Sequence, residues 1–216
     1  MAPSGVIFVF TFKIYYTYMS KGKCMKKELF ELFERSYKTP TDVIEKFKQI
    51  VQDQPNDYFG KKSNVAHITG SVLVVNETAT EVLLTDHKKL KKWLQLGGHW
   101  CDFDETPTET LTEAALREVR EEGYDNRDVP IEMLNKGDIL DLDIHDVGGH
   151  MHYDVCFIAK VDKSVPISIS SESEGLEWKN IDDMIANQSK YDTRLIRMLE
   201  KAKEVTSKPA SKVKIK

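Results

Sequence analysis

Three carboxylates, Glu118, Glu121 and Glu122, stand at i, i+3 and i+4 in a stretch where Leu111, Ala115 and Val119 recur every four residues. The apolar period makes one buried stripe of a helix, and the acidic spacing projects three negative side chains from one neighbouring face. Like charges so close repel one another. A hard divalent cation with oxygen ligands, Mg²⁺ or Mn²⁺, resolves the conflict. Two blander readings stay open on spacing alone. Arg117 and Arg120 neutralise the carboxylates in part, or the face is simply solvated.

The histidines are the second group with chemistry in them. His67, His99, His145, His150 and His152 fall near predicted strand ends, and His87 lies in a basic connection with Lys88, Lys89, Lys91 and Lys92. His150 and His152 are two apart in a strand-like run and share a side of the sheet. With His145 they could form a zinc trio, but Gly148 and Gly149 intervene and no cysteine joins them. Contacts to the phosphate or base of a substrate are the stronger reading, with ordinary hydrogen-bonded histidines as the third. The lysine run could attract a nucleotide or be a solvated face. Tyr153, Phe157 and Trp178 could stack on a base, yet each is more simply core.

The elements that must position these groups follow from pattern. Leu29, Leu32 and Phe33 predict one helix; Thr39 as N-cap, Pro40 at N1 and the stripe Val43, Ile44, Phe47 and Ile50 predict a second. From His67 the period changes: Ile68 to Val75 is a predicted strand, Asn76 to Thr80 a turn and Glu81 to Thr85 its partner. Trp93 to Leu96 precedes Gly97 and Gly98, and a long loop from Cys101 to Thr108 leads into the acidic helix. Strands are predicted over Ile131 to Leu140, Tyr153 to Val161 and Leu176 to Trp178, and helices over Ile181 to Ala186 and Thr193 to Lys203. Strands outside, one acidic helix between them and a C-terminal helix imply an α+β sandwich.

At 216 residues, 40% hydrophobic and 31% charged, the chain has material for one main core with an appendage. A net charge of -4 argues against a nucleic acid duplex as partner. Cys24, Cys101 and Cys156 are scattered and odd in number, so they offer neither a disulfide framework nor a thiolate zinc site. A reducing, cytoplasmic compartment fits, with Cys156 as a buried inert thiol. The apolar run from Val6 to Met19 is too short for an ordinary spanning helix, so no stable membrane insertion is expected. Residues 1–25 are expected to be a disordered or mis-assigned leader upstream of a start at Met19 or Met25, with a packed element or a membrane contact as alternatives. Residues 26–60 form a helical extension, 61–203 the main domain and 204–216 a basic disordered tail.

The segment Arg117, Glu118, Val119, Arg120, Glu121, Glu122, preceded by Glu109, resembles the signature of the Nudix hydrolase family: Gly, five residues, Glu, seven residues, then Arg-Glu-aliphatic-x-Glu-Glu-x-Gly. The likeness extends upstream to Trp93–His99 and downstream to Asp141–His145 and His150–Asp154, covering about His67 to Leu199. Two departures stand out. Ten residues rather than five separate Gly98 from Glu109, and Gly123 follows Glu122 directly. Anchoring on Gly123 would put Arg120 in a ligand position, so Arg117 and Glu118 are kept as the anchor.

The resemblance implies a Nudix-type α/β/α sandwich with a mixed sheet, preceded by the short helical extension. It implies Mg²⁺, with Mn²⁺ as substitute, held by Glu118, Glu121, Glu122 and the carbonyl region of Gly98, with Arg117 bracing the carboxylates. The ions would neutralise a diphosphate and sharpen a water that attacks phosphorus. The general base stays open between Glu118, Glu121 and Glu172, the last in a late acidic loop of the same type. His99 and His152 are the candidate substrate contacts. The implied substrate is a nucleoside diphosphate linked to another moiety. A homodimer is left open. The rival reading is a catalytically weak or inactive Nudix-like nucleotide-binding module, which the two departures favour.

Overall fold

The computed structural model describes residues 26–53, 66–100 and 109–207. The leader, the loop ahead of the acidic helix, Cys24, Cys101 and the last residues of the tail lie outside the described residues. Helix α1 (26–34) and helix α2 (Thr41–Asp53) precede the sheet. The strands are β1 (Ala66–Val75), β2 (Glu81–His87), β3 (Lys92–Leu94), β4 (Leu96–His99), β5 (Glu132–Met133), β6 (Asp141–Asp146), β7 (Met151–Lys160) and β8 (Ser173–Asn180). The remaining helices are α3 (Leu111–Tyr124), α4 (Ile181–Ala186) and α5 (Thr193–Ser207).

The sheet is mixed. Strand β1 runs parallel to β7 along its whole length and antiparallel to β2 and β4 on its other edge. Strand β7 also pairs antiparallel with β5 and β6, while β2 carries β3 and β8. Strand β1 is covered on both faces, and all ten of its residues are buried, the polar His67, Thr69 and Ser71 among them. Its two faces serve different layers. Ile68, Val72 and Val74 pack with Leu111, Ala115 and Val119 of α3 and with Phe33 and Phe47 of the first helices. Leu73 and Val75 pack on the other side with Ile181, Leu195 and Leu199 of α4 and α5. The result is the expected α/β/α sandwich, with the helical extension in front of it.

The first helices share the core of the sheet. Phe47 meets Phe33 and Tyr153 edge to face, with ring centres 5.3 and 5.2 Å apart. The Tyr37 amide donates to the Ile139 carbonyl at 2.8 Å. The start of α2 differs slightly from expectation. The Pro40 carbonyl takes the first helical bond, from Ile44 at 3.2 Å, and the Thr39 hydroxyl is buried without a hydrogen-bond partner among the described residues.

The strand expected over Ile131 to Leu140 is corrected. It is a two-residue β5 followed by a turn in which Asn135, Lys136 and Gly137 have φ of 50°, 59° and 75°. A left-handed run of that kind cannot continue a strand. The chain rejoins the sheet at Asp141, and α5 runs on to Ser207 rather than stopping at Lys203. Among the described residues no helix is long and apolar enough to cross a membrane.

Candidate functional site

Helix α3 begins where its caps dictate. The Thr110 hydroxyl accepts from the Glu113 amide at 3.2 Å while the Glu113 carboxylate accepts from the Thr110 amide at 2.7 Å, so two of the free donors at the helix start are satisfied. With Leu111, Ala115 and Val119 turned into the core, the register sends Arg117, Glu118 and Glu121 to one side, toward strand β4.

Arg117 occupies the middle of that group. Its Nε donates to Glu109 at 3.0 Å, Nη1 to Glu118 at 2.6 Å and to Glu121 at 3.4 Å, and Nη2 to the His99 carbonyl at 3.3 Å. Burial opposes its charge, but the bonds it donates to Glu118 and Glu109 prevail and hold the guanidinium above its ordinary value. Arg120 turns away, donating to the Leu116 carbonyl at 3.2 Å. Glu109 lies just before the helix, its carbonyl held by the Trp100 indole at 3.0 Å.

Two glycines let β4 lie against these acids. Gly98 pairs with Gly70 of β1, and a β-carbon at Gly98 would fall 2.5 Å from the Glu118 carboxylate carbon. At Gly97 a β-carbon would meet Ser71 at 2.5 Å, and the Gly97 amide donates to Glu122 at 2.8 Å. Glu122 is only 7% exposed. Its carboxyl is pushed up to about 8, first by burial, against the Gly97 bond, and further by the negative charges of Glu118, Glu172 and Glu121. An acid so held, among other acids and with no cationic side chain bonded to it among the described residues, suits a divalent cation. Gly123 is a packing glycine inside α3, where a β-carbon would come 3.0 Å from Leu96.

Glu118, Glu121, Glu122, Arg117 and Gly98 are therefore brought together. Glu172 lies on the exposed turn before β8, close enough for its charge to bear on Glu122. The lysine run is tied down elsewhere: Lys88 to the Ser171 carbonyl at 2.7 Å, Lys91 to Glu174 at 2.6 Å and Lys92 to Asp192 at 3.0 Å. Phe157 is fully buried, and Tyr153 and Trp178 pack against the same core.

Five of the six histidines, all but His87, gather on the opposite face of the sheet. The parallel register sets His67 beside His152, and the antiparallel register sets His145 beside His152. The Nε2 atoms of His67 and His152 lie 2.9 Å apart, those of His67 and His99 2.9 Å, and those of His150 and His152 3.0 Å. Burial and the neighbouring histidines hold His152 neutral, lowered to about 3. His145 donates from Nδ1 to Asp143 at 2.9 Å, and Arg197 of α5 braces Asp143 at 2.7 Å. Despite burial, the bonds from His145 and Arg197 hold the Asp143 carboxyl down at about 2.

Sequence reasoning foresaw His150 beside His152 but missed His67, which the parallel pairing of β1 and β7 brings in from 85 residues away. It also missed the Thr110–Glu113 cap, whose spacing was visible. His99 and His152, the candidate substrate contacts, both belong to the histidine group, with ring centres 5.6 Å apart. The main chain of His99 also bonds Arg117, so this residue joins the two groups.

The NUDIX domain family model matches residues 66–201 of the chain. No curated protein sequence matches it. Among solved structures, the chain is similar to an Ap4A hydrolase of C. elegans in a binary complex, with 17% identity and a TM-score of 0.51, covering 63% of this chain and 95% of that one. It is similar to a MutT protein from Methanosarcina mazei Go1, with 20% identity and a TM-score of 0.52, covering 68% and 99%. These likenesses bear on the fold.

Proposed function

The chain belongs to the Nudix family of hydrolases of phosphoric anhydride bonds, and on that premise we propose that it is a Mg²⁺-dependent enzyme that splits the diphosphate linkage of a nucleoside diphosphate joined to another moiety. Water attacks phosphorus, and the P–O bond to the bridging oxygen breaks. The observation that carries the reading is the Arg117 fork among Glu109, Glu118 and Glu121, set against the bare backbone of Gly98.

Glu118, Glu121, Glu122 and the backbone at Gly98 would hold the cation. When bound, Mg²⁺ supplies neutralisation of the diphosphate oxygens and acidifies the attacking water. Arg117 keeps the carboxylates aimed through charge-assisted bonds, so they need not reorganise as the reaction proceeds. Glu118, Glu121 or Glu172 takes the proton from the water. We assign residues 61–203 to the catalytic unit and 26–60 to an extension whose helices α1 and α2 pack on it. A free, buried Cys156 suits a reducing, cytoplasmic setting.

A panel of nucleotide sugars, dinucleotides, ADP-ribose and nucleoside triphosphates, incubated with Mg²⁺ or with excess chelator, tests the reading. Mg²⁺-dependent release of two phosphorylated products from a diphosphate conjugate supports it. Binding without turnover across the panel would make the chain a nucleotide-binding module. Turnover undiminished by chelator would overturn the role given to the cation.

A further inference from the structure

The histidine group is built in a way that hydrogen bonding alone does not explain. An imidazole Nε2 carries either one hydrogen or one lone pair, lying in the ring plane. Here four such atoms form a chain of contacts, His99 to His67 to His152 to His150, with separations of 2.9, 2.9 and 3.0 Å. Whichever tautomers are chosen for neutral rings, only two of the three contacts receive a hydrogen of their own. The third leaves lone pair facing lone pair, or one hydrogen shared between two acceptors. Rings at such separations suit nitrogens that share a cation.

We propose that His67, His150 and His152 form a binding site for a first-row transition-metal ion, Zn²⁺ foremost, separate from the Mg²⁺ site on α3. One ring nitrogen from each of the three lies within 4.8 Å of the other two. With metal–nitrogen bonds of about 2.1 Å, two ligands at a right angle sit about 3.0 Å apart and two at a tetrahedral angle about 3.4 Å. The two measured contacts within the trio, 2.9 and 3.0 Å, are already at the lower of these spacings. Imidazole nitrogen is a donor for zinc, nickel, copper or iron and a poor one for Mg²⁺, which prefers oxygen.

Position separates this site from the acidic helix. The α-carbon of Gly98 faces Glu118, and the next residue, His99, points its ring to the opposite face, toward His67. His67 is buried at 1% exposure while His150 and His152 are half-buried, so the site opens on one side only. Three protein nitrogens with an open side is the pattern of a site that also takes a water or a ligand oxygen.

The test uses the full chain, stripped with chelator and dialysed, then titrated with Zn²⁺ by calorimetry and with Co²⁺ by visible absorption, all in excess Mg²⁺. The expected result is one tight Zn²⁺ equivalent per chain and a Co²⁺ spectrum of nitrogen ligation. His150→Gln and His152→Gln, at half-buried positions, should each weaken Zn²⁺ by at least about a hundredfold, the upper end of the loss seen when even an outer partner of a metal site is removed. Circular dichroism confirms that they fold. Glu118→Gln with Glu121→Gln should leave the Zn²⁺ affinity within about threefold of the parent, since neither touches the trio. Absence of tight Zn²⁺ binding would overturn the proposal. So would Zn²⁺ binding insensitive to both histidine variants, or binding of inorganic phosphate to the metal-free protein that the histidine variants abolish.

Discussion

Replacing Gly98 by alanine separates the chemistry of the acidic helix from the folding of the sheet. Gly98 does not have the positive φ that would bar an alanine. The added methyl would lie 2.5 Å from the Glu118 carboxylate carbon and from Oε2, and 2.8 Å from Oε1. Carbon atoms rest at about 3.5 Å or more, so the carboxylate must retreat by about 1 Å. It is the far end of a flexible side chain, and the shift strains or breaks its 2.6 Å bond from Arg117. That costs the fold about 1 kcal/mol. A displacement of that size at a reacting centre costs on the order of a hundredfold in rate, or about 2.7 kcal/mol. Gly97→Ala provides the contrast, because its methyl would meet Ser71 Cα at 2.6 Å and the Gly70 carbonyl at 2.7 Å, which are backbone atoms and cannot swing aside. Thermal melting and steady-state turnover on a diphosphate substrate give the two readouts. Gly98→Ala should melt within a few degrees of the parent and turn over about a hundredfold more slowly, while Gly97→Ala should lose most of its stability. A Gly98→Ala enzyme with near-parental turnover would refute the placement of Glu118 at the reacting centre.

Thr110→Ala removes the cap of α3 and should cost about 1 kcal/mol, read as a fall of about 2–4 °C in melting temperature. Asp143 gives a pH dependence with a definite sign. Its carboxyl is held at about 2 against an ordinary 3.8, so the unfolded chain binds the proton first as pH falls. The stabilisation, up to about 2 kcal/mol, is complete above pH 4 and is lost as pH falls toward 2. Chemical denaturation of Asp143→Asn across that range should show a flatter dependence than the parent, and equal slopes would contradict the assignment.

The acidic helix was legible because its information is local. Leu111, Ala115 and Val119 fix the buried face, and the carboxylates follow from the same register. The turn at Asn135, Lys136 and Gly137 was equally local, but the apolar residues on either side of it drew one strand across the gap. Strand β6 was harder to see. Asp141 and Asp143 look wrong for a buried strand until Arg197 and Lys201 of α5 bond them across more than fifty residues. The histidine group is likewise a product of the parallel pairing of β1 with β7. Periodicity shows which side of a strand a residue takes, and only the pairing shows which strand lies beside it.

The most direct test of the acidic helix as the catalytic centre is turnover of Glu121→Gln on a diphosphate conjugate in saturating Mg²⁺. Glutamine keeps the shape and helix preference of glutamate and removes one negative charge from the face shared with Glu118. With circular dichroism and thermal melting unchanged, turnover should fall at least about a hundredfold, a barrier increase of about 2.7 kcal/mol. A folded Glu121→Gln protein working at near-parental rate would contradict the register given to α3 and the catalytic roles built on it.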